Sequence, residues 1–555
     1  MSFRDDSSSR PAAWRGAFQA PSEALLLAIA LFWAAAANGP FFAAAFANRE
    51  GGLLAHPGFA LALFVALAAL NFLLLALVAW RFVARPVVVL LVLVTAVAAH
   101  YMRHYGVFLD PTMIRNVLRT DPAEAGELLG LALARDLLLF AGPPLVLLWL
   151  VRFTPRRWPR ALAWRAGSIV LALGVLVAAV LAVFQPFASL MRNHKDTRYL
   201  ITPANALWST AVVLGPDARA ARGPRLVIGE DAAPGPRMAA RQRPLLVVLV
   251  VGETARAANW GLSGYARPTT PELAKLPVIN FADVTACGTN TEVSLPCMFA
   301  PVGRRDYDED RIRRSQTLLH VVARAGVQVT WRDNQSGCKG VCDGLPSETM
   351  HDLKPPGLCA DGRCLDEALL AGLPGRLKQM RGTQLLVLHQ LGNHGPSYFR
   401  RYPPAFARFQ PECRHDDLQR CSVAEIVNAY DNALLYTDHV LATLIGQLQA
   451  QAAQLDSALV YVSDHGESLG ENNLFLHGLP YALAPDVQKK VPMLMWLSPG
   501  FADASGVDPA CLRARAAQPA AHDHLFHTLL SLLDVRTKLH EDAWDLTSGC
   551  RRPAP

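Results

Sequence analysis

The run LLVVLVVGET (residues 245–254) holds an unbroken apolar, largely β-branched stretch that stops at a glycine and a glutamate. A strand wetted on one face alternates apolar with polar residues. A strand without alternation is buried on both faces, as in a parallel sheet covered by helices. Similar runs recur at VQVTW (327–331), QLLVLHQL (384–391), ALVYVS (458–463) and VPMLMWL (491–497). Helical patterns lie between them, as in SQTLLHVVARAG (315–326) and AEIVNAYDNALLYTDHVLATLIGQLQAQ (424–451). The alternation predicts an α/β domain with a mainly parallel sheet and disulfides over residues 244–555.

In such sheets ligands gather at the carboxyl ends of the strands. Four of these ends carry chemistry: Glu253 in GET, Lys339 in RDNQSGCKG, His394 in GNHGP, and Asp464 with His465 in DHGES. Glu253, Asp464 and His465 offer two oxygens and a nitrogen, a donor set that suits Zn²⁺. Each alone reads more simply as a cap or a surface pair; their convergence on one sheet edge is the signal.

A hydroxyl from DVTACGTNTEVSLPCMFA (283–300) can complete the set, because metal coordination lowers its pKa toward neutrality. Thr285 lies outside the bracket formed by Cys287 and Cys297, and Ser294 reads as a packing or capping residue. Thr289 reads as an N-cap for a helix starting near Glu292, with Thr291 in its first turn. Spacing alone leaves Thr289 and Thr291 level as nucleophile. His522, His524 and His527 suggest either a metal cluster or one packed helix face.

All ten cysteines lie between Cys287 and Cys550. They fall into the near-neighbour pairs Cys287/Cys297, Cys338/Cys342, Cys359/Cys364 and Cys413/Cys421, with Cys511 and Cys550 left to pair with each other. A zinc ribbon would show CxxC knuckles, which are absent, so the pattern reads as disulfides in an oxidising compartment. Hydrophobic residues make up 52% of the chain, with the excess before residue 191. Five apolar segments, 22–46, 57–80, 86–101, 134–151 and 167–190, predict a five-helix transmembrane domain over residues 1–190; the third is short for a span. Arginines at 4, 10 and 15, at 81 and 85, and at 152, 156, 157, 160 and 165 outweigh those at 49 and at 103, 115 and 119. The positive-inside rule then makes the N-terminus cytoplasmic and places everything after the fifth span outside, where disulfides form. The net charge of +7 flanks apolar segments and shows no nucleic-acid stripe, so no nucleic-acid partner is expected.

Residues 108–130 predict an amphipathic helix on the outer membrane surface, with Asn116, Thr120 and Glu124 on one face. Residues 191–243 read as a linker rich in Pro, Gly and Arg, with a short bilayer helix within ITPANALWSTAVVL.

The ordered stretches VGETARAANWGLSGY, TACGTNTEVSLPCMF, WRDNQSGCKG, GNHGPSY, YVSDHGESLGENNLFLHG and HDHLFHTLLSLLDV resemble the lipid A phosphoethanolamine transferases of the alkaline-phosphatase superfamily, which include the mobile colistin-resistance enzymes. The resemblance covers nearly the whole chain. It implies an alkaline-phosphatase/sulfatase-like periplasmic domain on a bacterial inner-membrane anchor, acting as a monomer. It implies Thr291 as nucleophile, with Thr291, Glu253, Asp464 and His465 on a tightly held zinc and a second zinc in reserve. Lys339, His394 and His477 would face phosphate or ethanolamine, and Asn116, Thr120, Glu124 and Ser336 would help hold the lipid donor. The donor would be phosphatidylethanolamine and the acceptor lipid A. The Cys338/Cys342 pair around Lys339 is not shared by every relative. Competing expectations are the same chemistry on a lipopolysaccharide core sugar or periplasmic glucan, a phosphoglycerol transferase, a sulfatase, or an inactive membrane-anchored binding factor. A sulfatase would need a Cys or Ser in a CxPxR-type setting, which is missing, and an inactive relative would lack a ligand.

Overall fold

The computed structural model describes residues 18–47, 49, 51–80, 83–120, 122–217, 223–360 and 362–552. The basic residues of the N-terminal tail, Arg81 and the side chain of Glu124 lie outside that description. The chain forms two compact units: Met1–Ile114 with Gly130–Val213, and Arg115–Leu129 with Leu214–Pro555. The segment expected as a linker is therefore divided. Its first part, with the helix Ala204–Val212, belongs to the membrane unit, and everything from Leu214 belongs to the second unit.

Among the described residues of the membrane unit three helices are long and apolar enough to cross a bilayer: Pro57–Val78, Ala84–His104 and Trp158–Ala182. The expected short third segment is thus of full length, and the expected fifth segment starts earlier and ends sooner, with a separate helix Phe184–Asn193 behind it. Two further apolar stretches are bent pairs, Ser22–Ala37 with Gly39–Phe46 at 52° and Leu131–Phe140 with Gly142–Leu150 at 41°. The breaks fall at Gly39–Pro40 and at Pro143–Pro144, where ring and missing N–H interrupt the ladder. Polar groups freed at the first break are satisfied internally. Asn38 donates to the carbonyls of Trp33 (2.9 Å) and Thr202 (3.0 Å) and accepts from the Thr202 amide (2.9 Å).

The second unit is built on an eight-stranded sheet. Its strands are β1 (Leu245–Gly252), β2 (Ile279–Thr285), β3 (Gln328–Asp333), β4 (Ser347–Thr349), β5 (Thr383–His389), β6 (Asp456–Ser463), β7 (Lys490–Leu497) and β8 (Ala520–Ala521). The spatial order is β8-β2-β7-β6-β1-β5-β3-β4. The sheet is mixed: β7 runs antiparallel to both β6 and β2, and every other pairing is parallel. The sequence shows five strands and misses β2, β4 and β8. Two of these are very short, and β2 exposes Ala282 and only half-buries Asp283, which breaks its apolar pattern. The reversal at β7 is also invisible in composition, because a strand returning through a loop needs no crossover helix.

Along β1 the side chains divide strictly by parity. Leu245, Val247, Leu249 and Val251 enter one core with Leu295, Leu318 and Phe526, and Leu246, Val248 and Val250 enter the other with Tyr430, Leu434 and Leu441. Helices on both faces therefore explain the unbroken apolar run. All five cysteine pairs read from spacing are disulfides here. They join Cys287 to Cys297, Cys338 to Cys342, Cys359 to Cys364, Cys413 to Cys421 and Cys511 to Cys550. Four of them close short local loops, and only Cys511–Cys550 spans as many as 39 residues, linking the helix Pro509–Arg515 to the C-terminal segment.

Leu249→Ala removes a fully buried side chain at the centre of the sheet. It is expected to lower the stability of the second unit by about 2–5 kcal/mol. Denaturant titration of the full-length protein, followed by the fluorescence of buried Trp260, Trp331 and Trp496, checks this.

Candidate metal centre and nucleophile

The register of two adjacent parallel strands creates the site. Gly252 at the end of β1 pairs with Ser463 at the end of β6, so the next residues, Glu253 and Asp464, emerge side by side. Gly392, at φ +53°, lies so close that a Cβ there would stand 2.6 Å from the Glu253 carbonyl oxygen. Glu253, Asp464 and His465 are fully buried, and each offers a ligand atom within 4.8 Å of the others.

The donors are aimed as a metal requires. His465 Nδ1 donates to the Gly466 carbonyl at 2.9 Å, which leaves Nε2 turned toward Glu253 Oε1 (3.3 Å) and Asp464 Oδ2 (3.4 Å). Asp464 Oδ1 accepts from the amides of His465 (2.7 Å) and Thr254 (3.1 Å), and Oδ2 is buried with no hydrogen-bond partner. Glu253 accepts from Thr254 Oγ1 (2.6 Å) and Gln335 Nε2 (3.3 Å). An unpartnered buried carboxylate oxygen facing an imidazole and a second carboxylate fits a divalent cation.

Thr291 is the hydroxyl aimed into this group. Its Oγ1 lies 3.1 and 3.3 Å from the Glu253 oxygens and 3.4 Å from His465 Nε2. The competing hydroxyls are engaged elsewhere: Thr289 donates to the Leu479 carbonyl (2.6 Å), Thr285 accepts from Lys490 (2.9 Å), and Ser294 donates to the Asp464 carbonyl. The helix Thr291–Met298 is capped by Asn290, whose Oδ1 accepts from the Val293 amide at 3.0 Å, rather than by the expected Thr289. Asn at this position serves as well as Thr and leaves Thr291 as the first helical residue.

The other predicted residues fall around this centre. The His477 ring lies 4.3 Å from that of His465 and 5.4 Å from that of His394. Burial, then the charge of His465, hold the His477 imidazole well below its usual range, so it is neutral. Its Nδ1 is 2.7 Å from Glu467 Oε2, and burial pushes the Glu467 carboxyl up to about 8. Lys339 Nζ donates to the Ser336 hydroxyl (2.6 Å) and carbonyl (3.1 Å).

Thr120 donates both its amide (2.9 Å) and its hydroxyl (2.8 Å) to the Asn116 carbonyl. The expected continuous helix over 108–130 is broken into Pro111–Arg119 and Pro122–Glu127, because Pro122 cannot continue the first helix, and the four-residue face is interrupted with it. Among the described residues, His522, His524 and His527 form no metal group. His522 accepts from the Cys287 amide (3.0 Å) and donates to the Ser463 carbonyl (2.9 Å), and the other two likewise bond backbone.

Sequence reasoning missed Glu292. It follows Thr291, is fully buried, and pairs with Arg119 (2.9 Å), Arg313 (3.1 Å) and Lys339 (3.9 Å). Glu127, paired with Arg401 (2.7 Å) and Arg363 (2.9 Å), was missed too. Their only signal was a carboxylate in an otherwise apolar or small-residue setting. A second group able to hold a metal, His100, His104 and Asp136, lies in the membrane unit; its histidines are four apart on one helix.

Residues 67–217 match the family model described as phosphoethanolamine transferase EptA/EptB, and residues 246–535 match the sulfatase model. The chain is 40% identical over 467 residues to phosphoethanolamine transferase EptA of Salmonella typhimurium, covering 83% of this chain and 84% of the relative. It is 37% identical over 522 residues to phosphatidylethanolamine transferase Mcr-1 of Escherichia coli, covering 92% and 94%. The integral membrane protein lipooligosaccharide phosphoethanolamine transferase A of Neisseria meningitidis matches with a TM-score of 0.88 at 36% identity, covering 96% of this chain and all of that one.

The ligand group titrates in a defined order. Burial and then the charge of Glu253 push the Asp464 carboxyl up to about 6. Burial opposes the charged imidazole of His465, but Asp464 and Glu253 outweigh it and hold that proton up to about 10. Metal has to displace protons from its ligands. Of the Glu253, Asp464 and His465 donors, only His465 gives up a proton between pH about 6 and about 10, and below about 6 Asp464 gives up one as well. Zn²⁺ affinity is therefore expected to rise with pH by at least about one log unit per pH unit above 6, and more steeply below. Calorimetry in buffers of different ionisation heats counts the protons; release near zero at pH 7 would refute this order.

Proposed function

Because the chain belongs to the phosphoethanolamine transferase family, we propose that it transfers phosphoethanolamine from phosphatidylethanolamine to a phosphate of lipid A through a covalent phosphoethanolamine–Thr291 intermediate. The observation that carries the proposal is the placement of Thr291 Oγ1 within 3.1–3.4 Å of Glu253 and His465. Zinc, held by Glu253, Asp464, His465 and Thr291, supplies the positive charge that lowers the hydroxyl pKa and draws electron density from the phosphoryl oxygens.

In the first step the Thr291 hydroxyl gives its proton to solvent and Oγ attacks the donor phosphorus, the bond from phosphorus to the glycerol oxygen breaks, and diacylglycerol departs with a proton. The Glu467–His477 pair supplies that proton. His477 gives its Nε2 hydrogen to the leaving oxygen while Nδ1 takes the proton retained by Glu467, whose carboxyl stays protonated up to about 8. Tyr398 holds the other Glu467 oxygen at 2.5 Å. His394, edge-on to His477, and Lys339 with Ser336 contact the head group and its phosphate. Asn116, Thr120 and Glu124, by the family resemblance, would help hold the lipid donor. In the second step a phosphate oxygen of lipid A attacks the same phosphorus, the bond to Thr291 breaks, and solvent returns one proton to Thr291 and one to Glu467.

The product carries less negative charge, which weakens binding of cationic peptides such as polymyxin. The enzyme is a monomer in the bacterial inner membrane, with a five-span anchor within residues 1–190, a cytoplasmic N-terminus and a periplasmic catalytic domain that includes residues 244–555. Donor and acceptor are both lipids, which is why the catalyst is anchored.

The test is mass spectrometry of peptides covering 283–300 after incubation with phosphatidylethanolamine. A phosphoethanolamine adduct on Thr291 is expected in the zinc-loaded protein and absent after chelation. Thr291→Ala is expected to abolish the adduct and to lower turnover by roughly 10⁴-fold or more. An active protein without the adduct would exclude the covalent route.

A further inference from the structure

The side chain after the nucleophile turns away from the metal ligands and toward cations: Glu292 meets Arg119, Arg313 and Lys339. Those three, with Arg115, Arg225 and Arg314, line one cavity of about 150 Å³. Against these six cations the lining holds the carboxylates of Asp310 and Asp343. Glu292 and Glu309 pair with lining arginines as well, and among the described residues these carboxylates leave an excess of two positive charges on the lining. Arg314 donates Nε to the Asp310 carbonyl at 3.2 Å and has no carboxylate within ion-pair distance among the described residues. Arg225 holds Asp343 at 2.8 Å and the Ser315 carbonyl at 3.2 Å. Arg115 and Lys339 are themselves buried, at 8% exposure each.

An excess of cations gathered around a confined, part-buried volume is self-repulsive unless an anion enters it. Guanidinium forks match phosphate oxygens two at a time, which makes arginine the fitting side chain for that anion. The donor phosphodiester already has its place, since its phosphorus must meet Thr291 Oγ1 beside Glu253. It also carries a single charge. A phosphomonoester carries up to two, which equals the uncompensated charge here.

We propose that this cavity is the acceptor subsite and binds a phosphomonoester dianion of the lipid acceptor. The proposal rests on the transferase reading above. Lys339 then serves both subsites, because its Nζ is tied to Ser336, the neighbour of Gln335, which in turn touches Glu253 at 3.3 Å. An anion bound in the cavity therefore lies one loop away from the reacting centre.

The test uses the full-length, zinc-loaded protein in detergent micelles with phosphatidylethanolamine as donor and lipid A as acceptor, and inorganic phosphate as competitor. Loading of Thr291 and discharge to acceptor are followed separately. Arg314→Gln and Arg225→Gln are each expected to raise the acceptor KM about tenfold, with the effect confined to discharge, and to abolish competition by phosphate. Arg314→Lys, which keeps the charge, is expected to recover much of the affinity. Thermal unfolding of each variant identifies a folding defect; Arg314, the more exposed of the two, supplies the decisive variant if Arg225→Gln does not fold. Variants that load and discharge with native KM overturn the proposal. A raised KM for phosphatidylethanolamine instead of lipid A also overturns it, because the cavity would then hold the donor diester. If the native protein never loads Thr291, the transferase reading itself fails and the acceptor assignment falls with it. Loading without any discharge to lipid A overturns the acceptor assignment alone.

Discussion

Two carboxylates, Glu253 and Asp464, are forced together in the dry interior at the ends of neighbouring parallel strands. Like charges at such a separation strongly disfavour each other's ionisation, and removing them from water adds a desolvation cost of several kcal/mol per ion. The pair is tolerable only with positive charge between its members. His465 supplies it through a retained proton, and a divalent metal supplies it better. The fold thus builds an electrostatic defect into its centre and leaves a cation to resolve it. The surrounding amides of Thr254 and His465, both on Asp464 Oδ1, fix which oxygen remains open.

Placement of the nucleophile depends on the same edge. The Cys287–Cys297 disulfide ties the loop before the helix to its last turn, and Ser294 bonds the carbonyl of Asp464. His522 joins the Cys287 amide to the Ser463 carbonyl at the end of β6. His522, one of three histidines whose spacing suggested a metal cluster, is therefore a brace between the loop before Thr291 and the strand that ends at Asp464 and His465. With its hydroxyl directed by backbone position, Thr291 needs no partner of its own beyond the ligand group.

A second buried carboxylate, Glu292, organises the opposite charge. It gathers Arg119, Arg313 and Lys339, while Glu127 gathers Arg363 and Arg401. Residues 115–129 are held within the catalytic unit through these pairs although the chain on either side of them belongs to the membrane unit. Pairs of this kind are weak evidence for stability but fix position, because breaking one strands a buried charge. The arginines of this segment serve the catalytic unit, and so their meaning differs from that of the arginines that flank apolar spans.

Much of the site was legible from residue types alone. The unbroken run of 245–251, the carboxylate after it, the DH pair after 458–463 and the neighbouring cysteines each report a local requirement: burial on both faces, a strand end, a short covalent loop. Local chemistry also named Thr289 and Thr291 as the two candidate hydroxyls and left them level. The tertiary structure separates them by direction: Thr289 Oγ1 bonds the Leu479 carbonyl, and Thr291 Oγ1 faces Glu253 and His465. It likewise decided the reversed strand β7, the break at Pro122 within the amphipathic segment, and the bends at Gly39–Pro40 and Pro143–Pro144. The role of Glu292 was beyond any local reading, since its partners come from positions 119, 313 and 339. Composition and periodicity report what a residue's own neighbourhood demands. Which distant groups converge on one oxygen is set by strand register and packing, and those exist only in the folded chain.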